Sequence, residues 1–387
     1  MPRVVLVGRN RLGLHLACHA TARGWATALV LQDGGRYRDP CGNCQTTRVP
    51  AGDWRVDTIA ANLFASAGWP EDDPQWSETI VYSTVDQRVG LAVELGHRLG
   101  AIVQCDPKTP WVADKWLAGR HLADAGVPVP GCELAADAEQ AVAAADRFGY
   151  PVVVKPRDMN GSRHVQLCAS AAEVADAYAR HLEDLRDEHH DLEFSPELLI
   201  QQFVAGPLYS VELVVGRDGP VVLGVSDRVL GEKPYFAEIG AAFPVGDQLP
   251  QRPRLEAVAV AAAEAVGLAG AGHVELVVGD AGPVLIELNA RPPGMPITHM
   301  IRQVGGPDLF DLLLDALLGR PIPAGWQYEG AAASMDVMAL PASARPGAAR
   351  PDASMVDNRA WGTWVMARGA TAEQARARLA EISRVAM

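Results

Sequence analysis

The stretch from His273 to Arg291, "HVELVVGDAGPVLIELNAR", admits few structures. Two alternating apolar runs flank a Gly-bearing turn, the mark of half-buried strands joined as a hairpin. In the second run Val284, Ile286, Leu288 and Ala290 alternate with Leu285, Glu287, Asn289 and Arg291. A carboxylate, an amide and a guanidinium therefore follow one another along one face. A three-residue turn over Asp280-Ala281-Gly282, with Gly at its left-handed position, puts Gly279 opposite Pro283. Counting outward, Glu275 faces Glu287 and His273 faces Asn289. Two carboxylates directly across a strand pair repel, and burial makes this worse. A divalent cation between them removes the conflict. Hard oxygen donors suit Mg²⁺, with Mn²⁺ as a substitute, and such an ion takes its remaining ligands from water and substrate phosphates. Asn289 adds a neutral oxygen, and Arg291 a donor fork suited to phosphate or carboxylate. The hairpin predicts one wall of a metal–phosphate site, with Glu275, Glu287 and Asn289 as ligands.

The chain is long enough to bury such a wall. Its 387 residues, 49% hydrophobic and 21% charged, have ordinary globular composition and suffice for about two or three domains. A net charge of −13 argues against a nucleic-acid partner held by phosphate contacts, while leaving room for anions in a local basic pocket. No apolar run approaches the ~20 residues needed to span a bilayer. "MPRVVLVG" enters a strand pattern without a signal-peptide core, so the expectation is a soluble, cytoplasmic protein with no membrane partner. Six Cys in so long a chain do not make a disulfide framework. Cys41 and Cys44 form a lone CxxC that reads as half of a zinc site or as an incidental pair.

The first segment alternates strand and helix: "RVVLVG", a helical stretch over 12–23 closed by Gly24, "ATALVLQD", then "ETIVYS", a helix over 85–99 and "AIVQC". That is the pattern of a parallel sheet with crossover helices. Its first turn, "GRNRLG", spaces Gly8 and Gly13 like a dinucleotide fingerprint with Asp33 downstream, but Asn10 replaces the middle glycine. A structural turn, or one that helps bind another substrate, fits better. Thr109-Pro110 reads as the N-cap and first residue of a helix ending at Gly126. A small α/β unit follows, with helices over 137–148 and 171–187 and the strands "YPVVVKP" and "LLIQQFV". Beyond it lie long β-hairpins, a Pro-, Ala- and Ser-rich loop over 341–358, the strand "GTWVMARG" and a helix over 371–384.

Further groups bear on the predicted site. Lys155 ends an apolar strand leading into "RDMNGS", where Gly161 and Ser162 offer phosphate donors. Lys115 lies on the Pro-started helix. Gln201 and Gln202 beside apolar Phe203 and Val204 suit an adenine pocket with backbone hydrogen bonds at its edge.

In this order the pieces resemble the ATP-grasp superfamily over most of the chain. The resemblance rests on Lys115 in "ADKW", Lys155 in "VVVKP", the hinge "IQQFVAG", and Glu275 twelve residues before the E-x-N-x-R of Glu287, Asn289 and Arg291. It implies a mixed α/β and α+β fold. The parts are a Rossmann-like domain over 1–108, a connecting helix over 109–130, a lid over 131–205 and a larger catalytic domain over 206–387. "ELNARPPGMPITHMIRQVGGPDLFDLLLDALLGRPIP" is similar to carboxylate–amine ligases of the L-amino acid ligase type, and "GPLYSVELV" to the pyrrolysine-pathway ligase. The implied activity is ADP-forming amide synthesis from ATP, Mg²⁺, a carboxylate and an amine, with amino acids as substrates and an acyl phosphate between. Arg291 and Lys155 would stabilise the transferring charge. The family pattern makes Glu212 the choice for the ribose contact, in place of Leu208 where many members carry Glu, and Glu238 an amine-binding group. Arg163 and His164 replace small lid residues and are expected to reshape the lid toward substrate. A bicarbonate-using carboxylase or carbamoyl-phosphate-type enzyme is the alternative. A nicotinamide-dependent dehydrogenase and a non-catalytic nucleotide-binding regulator explain less. A homodimer stays open.

Overall fold

The structure is a computed structural model that describes residues 1–33, 41–188, 190–246, 249–336, 354–358 and 362–385. The N-terminal part contains β1 (Arg3–Val7), α1 (Arg11–Ala22), β2 (Ala26–Gln32), β3 (Gln45–Val49), α2 (Val56–Ala67), β4 (Thr79–Tyr82) and α3 (Val89–Leu99). Its four strands are all parallel, in the order β3-β2-β1-β4. Helices cover both faces, which is why β1 is apolar at every position after Arg3. Val4 and Leu6 pack with Leu16 and Ala20, whereas Val5 and Val7 pack with Ile59, Leu63 and Leu95. The expected strand "AIVQC" reduces to one parallel bridge from Ile102 to Ile80. Gln104 ends it, because its buried amide bonds Ser83 and the Ala290 carbonyl instead of a neighbouring strand.

Asn10 is the N-cap of α1. Its Oδ1 accepts from Gly13 N at 2.9 Å and from Thr84 Oγ1 at 2.6 Å, and its Nδ2 donates to the Thr84 carbonyl. The close approach that Gly13 allows is therefore filled by Thr84, whose hydroxyl would lie 2.9 Å from an added Cβ. The turn is thus closed by side-chain hydrogen bonds where a dinucleotide fingerprint would carry its middle glycine. Cys41 pairs with Cys18 of α1 in a disulfide, not with Cys44, a link the cysteine spacing did not predict.

The next helix, α4 (Lys115–Asp124), begins later than the Thr109-Pro110 signature suggests. Asp114 is its cap, accepting from the Trp116 and Leu117 amides, while the Thr109 hydroxyl bonds the Val266 carbonyl. The small unit holds β5 (Cys132–Ala135), α5 (Ala138–Phe148), β6 (Val152–Pro156), β7 (Gln166–Cys168), α6 (Ala171–Leu182), β8 (Arg186–Asp187), β9 (Leu192–Glu193) and β10 (Leu198–Gln202). Its antiparallel sheet runs β5-β10-β6-β7, with α5 and α6 packed on one apolar face. Helix α6 stops at Leu182 rather than 187, and the hairpin β8–β9 reaches back to the N-terminal part.

Asp191 at the hairpin tip has φ 52°. Its Oδ2 accepts from Gly52 N at 2.7 Å and from Trp54 Nε1 at 2.8 Å. Arg88 donates to the Asp191 carbonyl at 2.6 Å and lies 3.9 Å over the Trp54 ring. Asp191→Ala removes two charge-assisted hydrogen bonds from this latch. Amide exchange over 186–194 is expected to speed up by about tenfold or more, with the midpoint of global unfolding little changed. Unchanged exchange would mean that the latch does not hold the hairpin.

The remainder contains β11 (Leu208–Gly216), β12 (Gly219–Leu230), β13 (Glu238–Phe243), α7 (Arg252–Ala265), β14 (Gly270–Gly279), β15 (Gly282–Asn289), α8 (Met295–Gln303), α9 (Leu309–Leu317), β16 (Ala331–Asp336), β17 (Ser354–Asn358), β18 (Gly362–Gly369) and α10 (Ala372–Val385). The eight strands form one antiparallel sheet, ordered β15-β14-β11-β12-β13-β16-β18-β17. Helix α7 packs on one face through Leu255, Ala259 and Ala262, and α8 and α9 pack on the other. The second face also meets α1, so Arg23 reaches Asp311 and Asp315 of α9. Residues 354–358, read from sequence as loop, pair with β18, and 341–353 lie outside the described residues. Among the described residues no helix is long and apolar enough to cross a membrane.

Candidate active site

The β14–β15 hairpin pairs Glu275 with Glu287 and His273 with Asn289, the register expected from sequence. The turn that delivers it is different. Gly279 pairs with Gly282, so the loop has two residues, and an irregularity after Glu275 restores the register by one residue. Such a bulge bends a strand and re-aims its side chains, and here it sits beside the two carboxylates.

Each acid has a cationic neighbour. Glu287 lies 3.4 Å from Lys115 Nζ. Glu275 lies 3.1 Å from His273 Nε2 and 3.5 Å from Arg228. Burial pushes the Glu275 carboxyl up, but the His273 hydrogen bond and Arg228 win and lower it to about 2. It is therefore ionised and ready for a metal. His273 sits between two acids, with Nδ1 2.7 Å from the wholly buried Glu212. Burial disfavours its charge, yet Glu212 outweighs burial and raises the imidazole to about 9. Both ring nitrogens therefore donate. The two carboxylates and the Asn289 amide oxygen form a hard donor set that fits Mg²⁺.

The N-terminal part contributes a group that sequence reasoning missed. Asp86, in a short turn after β4, accepts from Arg291 Nε at 2.6 Å and Nη2 at 3.0 Å. Arg291 Nη2 also donates to Asn289 Oδ1 at 3.1 Å. Burial alone would raise the Asp86 carboxyl; Arg291 overrides it, and the acid stays below the ordinary range. Its place beyond the carboxyl end of a parallel strand is where sites gather in such sheets, and that was the available signal.

Two cavities meet at this wall. One, of about 290 Å³, is lined by Lys115, Lys155, Leu199, Gln201 and Leu285. The other, of about 350 Å³, is lined by residues of α1, the 160–162 loop, Arg228, Glu238, Glu275 and Arg291. Asp86, Glu287 and Asn289 line both. In the first cavity Lys155 is buried beside β15, donating to the Ile286 carbonyl at 3.2 Å, and desolvation lowers its pKa. Lys115 donates to the Met159 carbonyl, which ties α4 to the 157–162 loop.

Other sequence-predicted residues fall differently. Of the hinge, Gln201 is buried and lines the first cavity, whereas Gln202 is exposed and Phe203 and Val204 are half-buried outside its lining. Ser162 lines the second cavity rather than the first. Glu212 lines neither; sealed behind His273, Ser210 and Ser226, it is withdrawn from the ribose contact expected of it. Arg163 and His164 both pair with Asp184 at the end of α6, so they brace the lid internally and line neither cavity. Glu238 lines the second cavity and is ion-paired with Arg228, a buried residue that sequence reasoning passed over. Burial raises the Glu238 carboxyl against the pull of Arg228.

Residues 112–295 match the family described as ATP-grasp domain. Among curated proteins, the chain is 35% identical over 189 residues to the uncharacterized protein y4rH of Sinorhizobium fredii, covering 49% of this chain and 38% of that one. It is 30% identical to the D-alanine–D-alanine ligase of Laribacter hongkongensis, covering 49% and 58%. It is 31% identical to carnosine synthase 1 of Gallus gallus, covering 46% and 20%. The chain thus spans less than two thirds of each of these relatives, from 20% to 58% of their length. Among solved structures, the fold is shared with carboxyaminoimidazole ribonucleotide synthase from Aspergillus clavatus (TM-score 0.75, 16% identity, 100% and 98% covered). It is shared equally with the L-amino acid ligase from Bacillus licheniformis (TM-score 0.74, 14% identity, 99% and 97% covered).

Proposed function

Residues 112–295 match the ATP-grasp domain family, and from that premise we propose an ADP-forming ligase that joins a carboxylate to the amine of an amino acid. The observation that carries the reading is the pair of cavities sharing Asp86, Glu287 and Asn289. One takes the nucleotide, the other the reacting acid and amine, and the shared wall is where phosphate crosses. Relatives named D-alanine–D-alanine ligase and carnosine synthase support amino acids as the substrate class. Its parts on this reading are a Rossmann-like domain over 1–108, a connecting segment over 109–130, a lid over 131–205 and a catalytic domain over 206–387.

Gln201 and Leu199 flank the base, and Lys115 and Lys155 meet the phosphates. Glu275, Glu287 and Asn289 would hold Mg²⁺, which neutralises phosphate charge when bound. Arg291, aimed by Asp86, faces the transferring group and the acyl phosphate formed from the substrate carboxylate. Glu238 holds the incoming amine, which displaces phosphate to leave an amide. The sum is ATP, acid and amine giving ADP, phosphate and amide. No side-chain nucleophile is involved; placement and fixed charge lower the barrier.

ADP and phosphate release is measured with Mg-ATP and pooled amino acids, with mass spectrometry of the products. The expected result is amino-acid-dependent ADP and a product mass equal to two substrates less water. AMP and pyrophosphate would remove the acyl-phosphate route. ADP release with bicarbonate alone would move the assignment to a carboxylase-type enzyme.

A further inference from the structure

We propose that Arg11 binds an anionic group on the amine substrate, so that the acceptor is an amine bearing a carboxylate or a phosphomonoester. The inference rests on the ligase reading above and adds a substrate contact to it.

The second cavity is rich in charge, and most of that charge is matched. Asp86 is held by Arg291, Glu238 by Arg228, Glu275 by His273 and Glu287 by Lys115. Asp336 also has a partner. Arg11 lines the same cavity and, among the described residues, makes no hydrogen bond and no ion pair. The residue is half-buried at the cavity's edge and has no counter-charge among the described residues.

Its position in the helix sharpens the point. Arg11 is the first residue of the twelve-residue α1, and the first turn holds no acidic residue. A cation at that end works against the helix dipole, which favours negative charge there. Asn10 leaves this unrelieved: its neutral amide satisfies only the Gly13 amide and Thr84. An anion arriving in the cavity meets Arg11 with no partner to displace. Every other cation on the wall would first have to give up an acid. The cavity therefore offers an amine-bearing molecule two unlike sites, Glu238 for its ammonium and Arg11 for its anion.

The test is a functional double-mutant cycle on the full chain. Each amino acid that supports ADP release is compared with its carboxamide, in the wild type and in Arg11→Gln and Arg11→Lys. Arg11→Gln is expected to raise KM for the amino acid about 10- to 100-fold, with kcat at saturation nearly kept. KM for the carboxamide should shift less than about twofold, and Arg11→Lys should recover much of the loss. O-phosphoethanolamine against ethanolamine forms the second arm. A wild-type preference for the phosphorylated amine that Arg11→Gln abolishes supports the subsite and assigns phosphate as the anion. Equal losses with charged and uncharged acceptors, or none at all, would overturn the Arg11 assignment while leaving the ligase intact. No ADP release from the wild type with any amine overturns the ligase reading and the subsite together.

Discussion

Glu287→Gln is expected to lower ATP-dependent turnover by about a thousandfold or more, roughly 4 kcal/mol of transition-state stabilisation. The substitution preserves shape and removes one charge from a three-oxygen donor set. It also takes away the acid lying 3.4 Å from Lys115, so that lysine loses its ion-pair partner. Folding should hardly change, because the Glu287 side chain is 25% exposed and its strand is held by backbone pairing. The decisive readings are ADP release across a Mg²⁺ titration and the unfolding midpoint. Lost turnover with an unchanged midpoint is the expected pair. Near-wild-type turnover would sink the metal assignment.

The second large effect is on stability. His273→Leu strands Glu212, which is 0% exposed and, among the described residues, keeps only the Ser210 and Ser226 hydroxyls for hydrogen bonds. Removing one member of a buried ion pair costs about 3–5 kcal/mol, and that is the expected fall in unfolding free energy in urea. Glu212→Gln on that background should restore part of it, since the stranded charge is gone. The pair also predicts a pH dependence. The folded state raises the imidazole from its ordinary 6.5 to about 9, because Glu212 outweighs desolvation. Its contribution is therefore complete below about pH 6.5 and is lost as pH climbs through 9. Stability in EDTA should decline over that window in the wild type and stay flatter in the double variant. A parallel decline in both would remove His273 as the cause.

These residues differ in how readable they were. Glu275 and Glu287 could be paired from sequence because strand periodicity is two and the hairpin is local. The register survived a misread turn: the loop is a residue shorter than expected, and the bulge after Glu275 compensates. Thr109-Pro110 carries a good local helix-start signature, but the Thr109 hydroxyl is bound to Val266, 157 residues away, and the helix waits for Asp114. Asp86 shows the same limit more sharply, since its partner Arg291 lies 205 residues along the chain. Glu212 was misassigned for a related reason: the strand pattern gives its neighbours, not that His273 closes over it.

Because Asp86, Glu287 and Asn289 form a party wall between the two cavities, the site also sets terms for inhibition. A single molecule filling both chambers would lose its translational freedom once, where two separate ligands each lose it. Tethering a weak fragment seated in one cavity to a weak fragment seated in the other should therefore give a ligand far tighter than either piece. The linker must pass the Asp86, Glu287 and Asn289 side chains that line both cavities.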